Sequence, residues 1–258
     1  MKVACWNVNS IKSRLDQVLS WISKNNPDIL MLQELKCETD AFPLEAFAHL
    51  PYNFAISGQK TYNGVAILSK YPIDKTSLTF TNNPIEDQAR FVEVSFKSEI
   101  GYCRAISVYV PNGGEVYSDK FKMKLEFFKH FKDYLSSIKN SDEHIMVGGD
   151  FNVAPFDLDV YEPAHLQHST CFTTIERAHM RSILNDGWID LFRILHPKEE
   201  EFSWWDYRGR SFERNKGMRI DMILANPKLA NAVQEFVMDK EVRGMDKASD
   251  HIPIMFVA

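Results

Sequence analysis

Short apolar runs alternate along the chain with longer stretches in which apolar residues return every three or four positions. Lys2–Trp6 and Ile29–Leu32 read as buried strands. Between them Ile11, Leu15, Val18, Leu19 and Ile22 recur at helical spacing, which predicts a helix with Ser10 as its N-cap and Pro27 past its end. A strand, a helix and a strand in that order form a β-α-β unit with parallel strands. A short helix is expected over Pro43–Leu50, followed by strand-like stretches at Tyr52–Ile56, Gly64–Leu68, Leu78–Phe80, Ala89–Phe96 and Tyr102–Val110. Their alternation and β-branched content predict antiparallel pairing. A long amphipathic helix spans Asp119–Lys139, with Phe121, Leu125, Phe128, Leu135 and Ile138 on one face. Strand Ile145–Gly149, a helix within Thr174–Asn185, and strands Arg219–Ala225, Glu235–Asp239 and Ile252–Val257 complete the pattern. Many strands in mixed order, with helices between some, predict two β-sheets packed face to face with helices outside. A repeat is barely visible: Asn7-Val8 and Asn152-Val153 both follow strands, too little to establish duplication.

Composition narrows the picture. With 258 residues, 45% of them hydrophobic, and no low-complexity linker, the expectation is a single domain over residues 1–258. A net charge of −5 excludes a basic nucleic-acid coat, so any polyanion must meet a local patch. Cys5, Cys37, Cys103 and Cys171 are widely spaced, which argues against a zinc site or disulfide framework and for a reducing cytoplasm. No apolar run approaches the roughly eighteen residues of a membrane span, and Asn7 and Asn9 interrupt the N-terminal stretch where a signal peptide would lie. The expectation is a soluble, cytoplasmic monomer with no membrane partner.

Candidate chemistry gathers where strands end. The run His144–Gly148 leads into Gly149-Asp150-Phe151-Asn152, a carboxylate and a carboxamide two residues apart. If the extended geometry persists, both side chains share a face; an Asx turn is the simpler alternative. Gly148 or Gly149 would let a phosphate approach the backbone. The first strand ends in Asn7-Val8-Asn9-Ser10, the second in Gln33-Glu34, and Ser249-Asp250-His251 precedes the last. Strand-end Asn, Glu, Asp and His predict one site at a single sheet edge.

Trp6-Asn7-Val8-Asn9, Leu32-Gln33-Glu34, Tyr109-Val110-Pro111-Asn112, Gly149-Asp150-Phe151-Asn152, Arg219-Ile220-Asp221 and Ser249-Asp250-His251, taken together, resemble the exonuclease III branch of the endonuclease/exonuclease/phosphatase superfamily. The resemblance runs from residue 2 to residue 257. It implies a four-layer αββα sandwich and metal-assisted hydrolysis of a phosphate ester. Position by position, it makes Glu34 the principal Mg²⁺ ligand, with Asn7 and Asp250 completing the shell and Asp150, Asn152 and His251 within reach. Hard oxygen donors suit Mg²⁺, with Mn²⁺ as a substitute. The resemblance pairs Asp221 with His251, which raises the imidazole pKa and favours a charged phosphate donor. Asp150 orients or deprotonates the attacking water, Asn152 holds that water or a phosphoryl oxygen, and Tyr109 offers its hydroxyl to phosphate. Which group is the base is left open.

The catalytic set does not name the substrate. Phe202-Ser203-Trp204-Trp205-Asp206-Tyr207-Arg208 sets aromatics beside a basic run, Arg208, Arg210, Arg214, Lys216 and Arg219, which suits an unstacked sugar next to a phosphate backbone. Core aromatics followed by a solvated loop is the alternative. The resemblance makes Trp204 and Met218 walls of a pocket for a flipped-out abasic deoxyribose, with Ile220 beside them and Asn112 and Arg219 also on the substrate. Met218 stands where some relatives carry Trp. The reading implied is a Mg²⁺-dependent repair nuclease on double-stranded DNA with abasic sites or blocked 3′ ends. The alternatives are a phosphodiesterase on another ester and a catalytically silent nucleic-acid-binding regulator.

Overall fold

The computed structural model describes residues 1–258. Twelve strands run in chain order: β1 (Lys2–Asn7), β2 (Ile29–Gln33), β3 (Asn53–Ser57), β4 (Val65–Ser69), β5 (Ile73–Ser77), β6 (Phe91–Ser98), β7 (Gly101–Tyr109), β8 (His144–Asp150), β9 (Ile189–Asp190), β10 (Asp221–Ala225), β11 (Glu235–Met238) and β12 (Ile254–Val257). The helices are α1 (Leu15–Asn25), α2 (Asp119–Ile138), α3 (Pro163–Leu166), α4 (Thr174–Asn185), α5 (Leu191–Leu195) and α6 (Pro227–Ala230). Two six-stranded sheets form, in the orders β11-β12-β1-β2-β4-β3 and β5-β6-β7-β8-β10-β9. Each holds one parallel pair, β1 with β2 and β7 with β8, flanked by antiparallel strands.

Period-two alternation builds the layers. Val3, Cys5, Met31 and Ile67 point between the sheets, where they meet Val94, Ala105, Met146 and Ile223. Ala4, Trp6, Leu30 and Leu32 point the other way, onto Val18, Trp21 and Ile22 of α1. On the far side Ile106, Val108, Ile145 and Val147 pack against Phe127, Phe128, Phe131 and Leu135 of α2 and Met180 and Ile183 of α4. Each fully buried phenylalanine there contributes on the order of 2–3 kcal/mol. The layer order is α, β, β, α, as expected.

Several local expectations are corrected. Ser10 does not cap α1: its Oγ accepts from Ser13 N at 3.4 Å in a preceding turn, and the helix begins only at Leu15, after Arg14. Pro43–Leu50 holds only a 3₁₀ turn, Leu44–Phe47. Leu78–Phe80 is not a strand; the edge strand lies just before it, at Ile73–Ser77, and Phe80 turns inward onto Phe91, Phe127 and Phe131. Gly148 and Gly149 answer to packing rather than to phosphate. A Cβ at 148 would lie 2.3 Å from Met31 Cε, and one at 149 would lie 2.0 Å from Val108 O.

Candidate active site

The β1/β2 and β7/β8 pairs are parallel, so their C-terminal ends lie together. β10 runs antiparallel to β8, and β12 antiparallel to β1, so each begins where its neighbour ends. Topology therefore brings Asn7, Glu34, Tyr109, Asp150, Asp221 and the 249–251 segment to one place. That place is the common end of both sheets, not the single sheet edge expected from sequence. In register, Asp150 stands beside Tyr109 on one side and Asp221 on the other.

Asn7 Nδ2 donates to Glu34 Oε1 at 2.9 Å and to Asp150 Oδ2 at 3.0 Å, joining acids from the two sheets. Its Oδ1 accepts from Asn9 N at 3.0 Å, which fixes the amide's orientation. Glu34 sits just past β2 in the left-handed region, φ 53°, and its other oxygen takes Lys36 Nζ at 2.9 Å. Asn152 is also left-handed, φ 50°, so the extended geometry does not persist past β8. The Asx turn and the shared face turn out to be compatible. Asn152 N donates to Asp150 Oδ1 at 2.8 Å, and its Nδ2 still reaches Asp150 Oδ2 at 3.2 Å. Asn112 Nδ2 donates to Asn152 Oδ1 at 2.9 Å. Non-glycine residues held at positive φ are costly, and their gathering at one site marks geometry imposed by the surroundings.

His251 Nδ1 lies 2.8 Å from Asp221 Oδ2, and Nε2 points toward Asp150 Oδ2 at 3.8 Å. Asp221 Oδ2 also accepts from Ser203 Oγ at 2.7 Å, while that hydroxyl accepts from Ile220 N and Asp221 N. Ser249 Oγ donates to Asn7 O at 2.7 Å and accepts from His251 N. Burial pushes the Asp150 carboxyl up to about 8; Asp221 and Glu34 add to the rise and His251 opposes it. Burial alone would lower His251, but Asp221, Asp150 and Asp250 together lift it to about 10. Burial raises the Tyr109 hydroxyl well above its ordinary value, helped by Glu34 and Asp150.

Beside these groups lies a cavity of about 320 Å³, lined by Trp204, Met218, Ile220 and Cys171 on the apolar side and by Glu34, Asp150 and His251 on the polar side. It adjoins a groove of about 640 Å³ with Lys36, Arg90 and Lys120. A cleft of about 540 Å³ beside β11 contains none of the acids at this sheet end. The Trp204-Trp205 pair splits: Trp204 faces the cavity, whereas Trp205 is buried against Phe202, Phe212 and Ile252.

One expected position differs. Arg219 is fully buried and cannot meet a substrate; its guanidinium is held by Asp159 at 2.7 Å and Asp190 at 2.8 Å. The side chain alternates inward while its neighbours Met218 and Ile220 face the cavity. Arg208 forks onto Asp206, so the basic run is opposed at that point too, leaving Arg210, Arg214 and Lys216 exposed. Asp250 lines the same cavity as Glu34 and Asp150, and its oxygens accept from Asn9 Nδ2 at 2.8 Å and Trp204 Nε1 at 2.9 Å. Its pKa is lowered, since the gains from His251, Trp204 and Asn9 outweigh burial.

Glu34, Asp150 and His251 present ligand atoms within 4.8 Å of one another. Asn7 and Asn152 turn Nδ2 rather than oxygen toward the acids, contrary to their expected place as ligands, so the hard donors are the carboxylate oxygens of Glu34 and Asp150, which suit a divalent cation. The residues present fit a metal of that class.

Sequence reasoning quoted Asn9, Ser203 and Ser249 in its motifs without a role for them, and missed Lys36 and the fully buried pair Lys124–Glu176 behind the site. The spacing Thr173-x-x-Glu176 was a visible signal of a capping box, and that box is present. Lys124 falls on the buried stripe of α2, between Phe121 and Phe128.

Residues 4–251 match the model of the endonuclease/exonuclease/phosphatase family. The chain is 34% identical over 262 residues to exodeoxyribonuclease III of Haemophilus influenzae, covering 98% of each. It is similar, at TM-score 0.95 and 36% identity, to a 3′ phosphatase from Neisseria solved with product DNA hairpin, covering 100% of this chain and 98% of that one. An AP endonuclease from Archaeoglobus fulgidus superposes with TM-score 0.94 at 36% identity, over 100% of this chain and 98% of that one.

Proposed function

The chain belongs to the endonuclease/exonuclease/phosphatase family, and from that membership we propose a hydrolytic nuclease of the exonuclease III type that uses Mg²⁺. Its proposed substrate is duplex DNA, cut 5′ to abasic sites, with blocked 3′ ends trimmed by the same site. One observation carries this reading: the Asn7–Glu34–Asp150–His251 cluster abuts a cavity walled by Trp204, Met218 and Ile220. An abasic sugar is cheap to extrude, and an apolar wall of that size favours it over a sugar bearing a base.

In this reading Glu34 holds the metal with Asp150 in reach, and Asn7 orients both carboxylates. Bound Mg²⁺ supplies neutralisation of charge on the phosphate and on the departing oxygen. Asp150 accepts a proton from water, whose oxygen attacks phosphorus as the P–O3′ bond breaks. Asn152, fixed against Asp150 and Asn112, holds the water or a phosphoryl oxygen. His251, kept protonated by Asp221, donates to the phosphoryl oxygens, as does the Tyr109 hydroxyl. Asp250 acts by orienting the Trp204 indole beside the cavity. The exposed Arg210, Arg214 and Lys216 meet the phosphate backbone, a sequence-independent contribution.

No helix is long and apolar enough to cross a membrane. We assign the enzyme to a reducing compartment such as the cytoplasm on its four free cysteines. A silent regulator is disfavoured because Glu34, Asp150, Asp221 and His251 are all present, with Asn7 joining Glu34 to Asp150 and His251 set between Asp150 and Asp221. The test mixes purified protein and Mg²⁺ with three end-labelled substrates: a duplex with an abasic-site analogue, an intact recessed duplex and a single strand. Incision 5′ to the lesion is expected. Absence of cleavage on all three, with hydrolysis of a non-nucleic phosphodiester, would overturn the assignment.

A further inference from the structure

The ion pair Lys124–Glu176 lies behind the site with both side chains fully buried. Stability gives little reason for it, because apolar residues of similar volume commonly do as well as a buried ion pair. Its wiring is more telling. An ammonium has three donors, and Lys124 spends them on Asn112 O at 3.0 Å, Asn152 O at 2.6 Å and Glu176 Oε1. Glu176 Oε1 also accepts from Cys171 N at 3.0 Å, and Oε2 accepts from Thr173 N at 3.1 Å and Thr173 Oγ1 at 2.6 Å.

Both carbonyls held by Lys124 belong to the asparagines whose side chains bond each other in front of Asp150. Asn152 is left-handed, so its carbonyl direction is not set by continuation of β8. A single cation from α2 therefore joins the segment after β7, the segment after β8 and the loop that carries Cys171 to the cavity wall.

We infer that Lys124–Glu176 is a positioning pair for the amide half of the site. Lys124 sets Asn112 and Asn152 through their backbone, and Glu176 holds the lysine and the Cys171 wall. The pair touches neither water nor phosphate and acts through the two asparagines. The inference deepens the proposed nuclease reading and rests on it for its kinetic arm.

The experiment compares Lys124→Met, Glu176→Gln and the double variant. Each is measured for thermal melting, kcat and KM on an abasic duplex, and for the side-chain NH₂ signals of Asn112 and Asn152 by NMR. Lys124→Met is expected to lose about a hundredfold in kcat with KM within a fewfold, the loss typical of an ångström-scale misplacement. Glu176→Gln keeps the lysine and both carbonyl contacts, so it should lose Tm yet hold kcat within about tenfold. The double variant removes the uncompensated charge; its Tm should recover above both single variants while kcat stays low. If kcat recovers together with Tm, the pair is merely structural and the inference fails. If Lys124→Met does not fold, Glu176→Gln decides: a hundredfold kcat loss at intact KM, with unmoved asparagine signals, overturns the assignment of positioning to the lysine. The NMR arm needs no turnover: unshifted asparagine signals in folded Lys124→Met refute the clamp, whereas an inactive wild type refutes only the nuclease reading.

Discussion

The two sheets repeat one pattern of strand directions, yet the sites at their ends are built differently. In each, a strand–helix–strand crossover forms the parallel pair: β1-α1-β2 in one and β7-α2-β8 in the other. The first crossover delivers Asn7 and Glu34, the latter partly open to solvent and flanked by Lys36. The second delivers Tyr109 and Asp150, with Asp150 buried, backed by Asn152 and then by Lys124 from α2. One scaffold thus yields an accessible acid suited to exchanging a cation and a sequestered acid suited to moving a proton. The difference lies in what surrounds the strand end, not in the strand.

The sharpest way to break this comparison is at the sequestered acid. Asp150→Asn should lower kcat by about a thousandfold, within the range of a general base, and should not lower Tm, because it removes a buried carboxyl that resists ionisation. A Tm drop matching the loss would show that the residue only braces the sheet end. His251→Asn should cost less, about a hundredfold, and Asp221→Asn added to it should cost little more, because the acid acts through the imidazole 2.8 Å away. Multiplied losses in the double variant would separate the two.

The accessible acid should behave otherwise. Glu34→Ala is expected to lose about tenfold to a hundredfold at low Mg²⁺ and to regain part of that at high Mg²⁺ or with Mn²⁺. Wild-type metal affinity in a titration would end its role as ligand. At the cavity wall, Trp204→Ala should cost about ten- to thirtyfold in kcat/KM on an abasic duplex and less on an intact recessed end, the value of a stacked group. Equal losses would make Trp204 structural.

The smallest effect is on stability against pH. His251 in the folded, metal-free protein is raised to about 10 from 6.5, so it keeps a proton that the unfolded chain releases. Its stabilisation is whole below pH 6.5 and is lost as pH climbs to about 10. Asp150, raised to about 8 from 3.8, has the same sign, with its loss running over that lower window. The Tm gap between wild type and His251→Asn should shrink from pH 6.5 to 10. Mg²⁺ binding at pH 7 should release protons, read by calorimetry in buffers of different ionisation enthalpy.

Much of this was legible in the chain. Apolar strands ending in Asn7, Glu34 and Asp150, with Asp250-His251 just ahead of the last strand, marked the residues that the fold gathers, and the α2 and α4 spans followed from periodicity. What escaped was set by partners distant in sequence. Ile73–Ser77 is a polar, exposed edge strand defined by its ladder to β6, with no apolar alternation to reveal it. Arg219 reads as one more cation of a basic run until Asp159 from a 3₁₀ turn and Asp190 from β9 enclose it. Lys124 lies on the buried side of α2 because Glu176 and the carbonyls of Asn112 and Asn152, all distant from its own turn, make its burial tolerable.

The pairing of β12 with β1 also sets a schedule. Ser249 and Asn7, which share a hydrogen bond, are 242 residues apart in the chain. At roughly 5–20 residues per second of synthesis, the interval between their emergence from a ribosome is on the order of ten to fifty seconds. Throughout it the first strand lacks its antiparallel neighbour and the imidazole does not yet exist. On the roles proposed above, hydrolysis waits until the 249–251 segment docks against β1, and a chain that stops short of His251 is expected to be inactive.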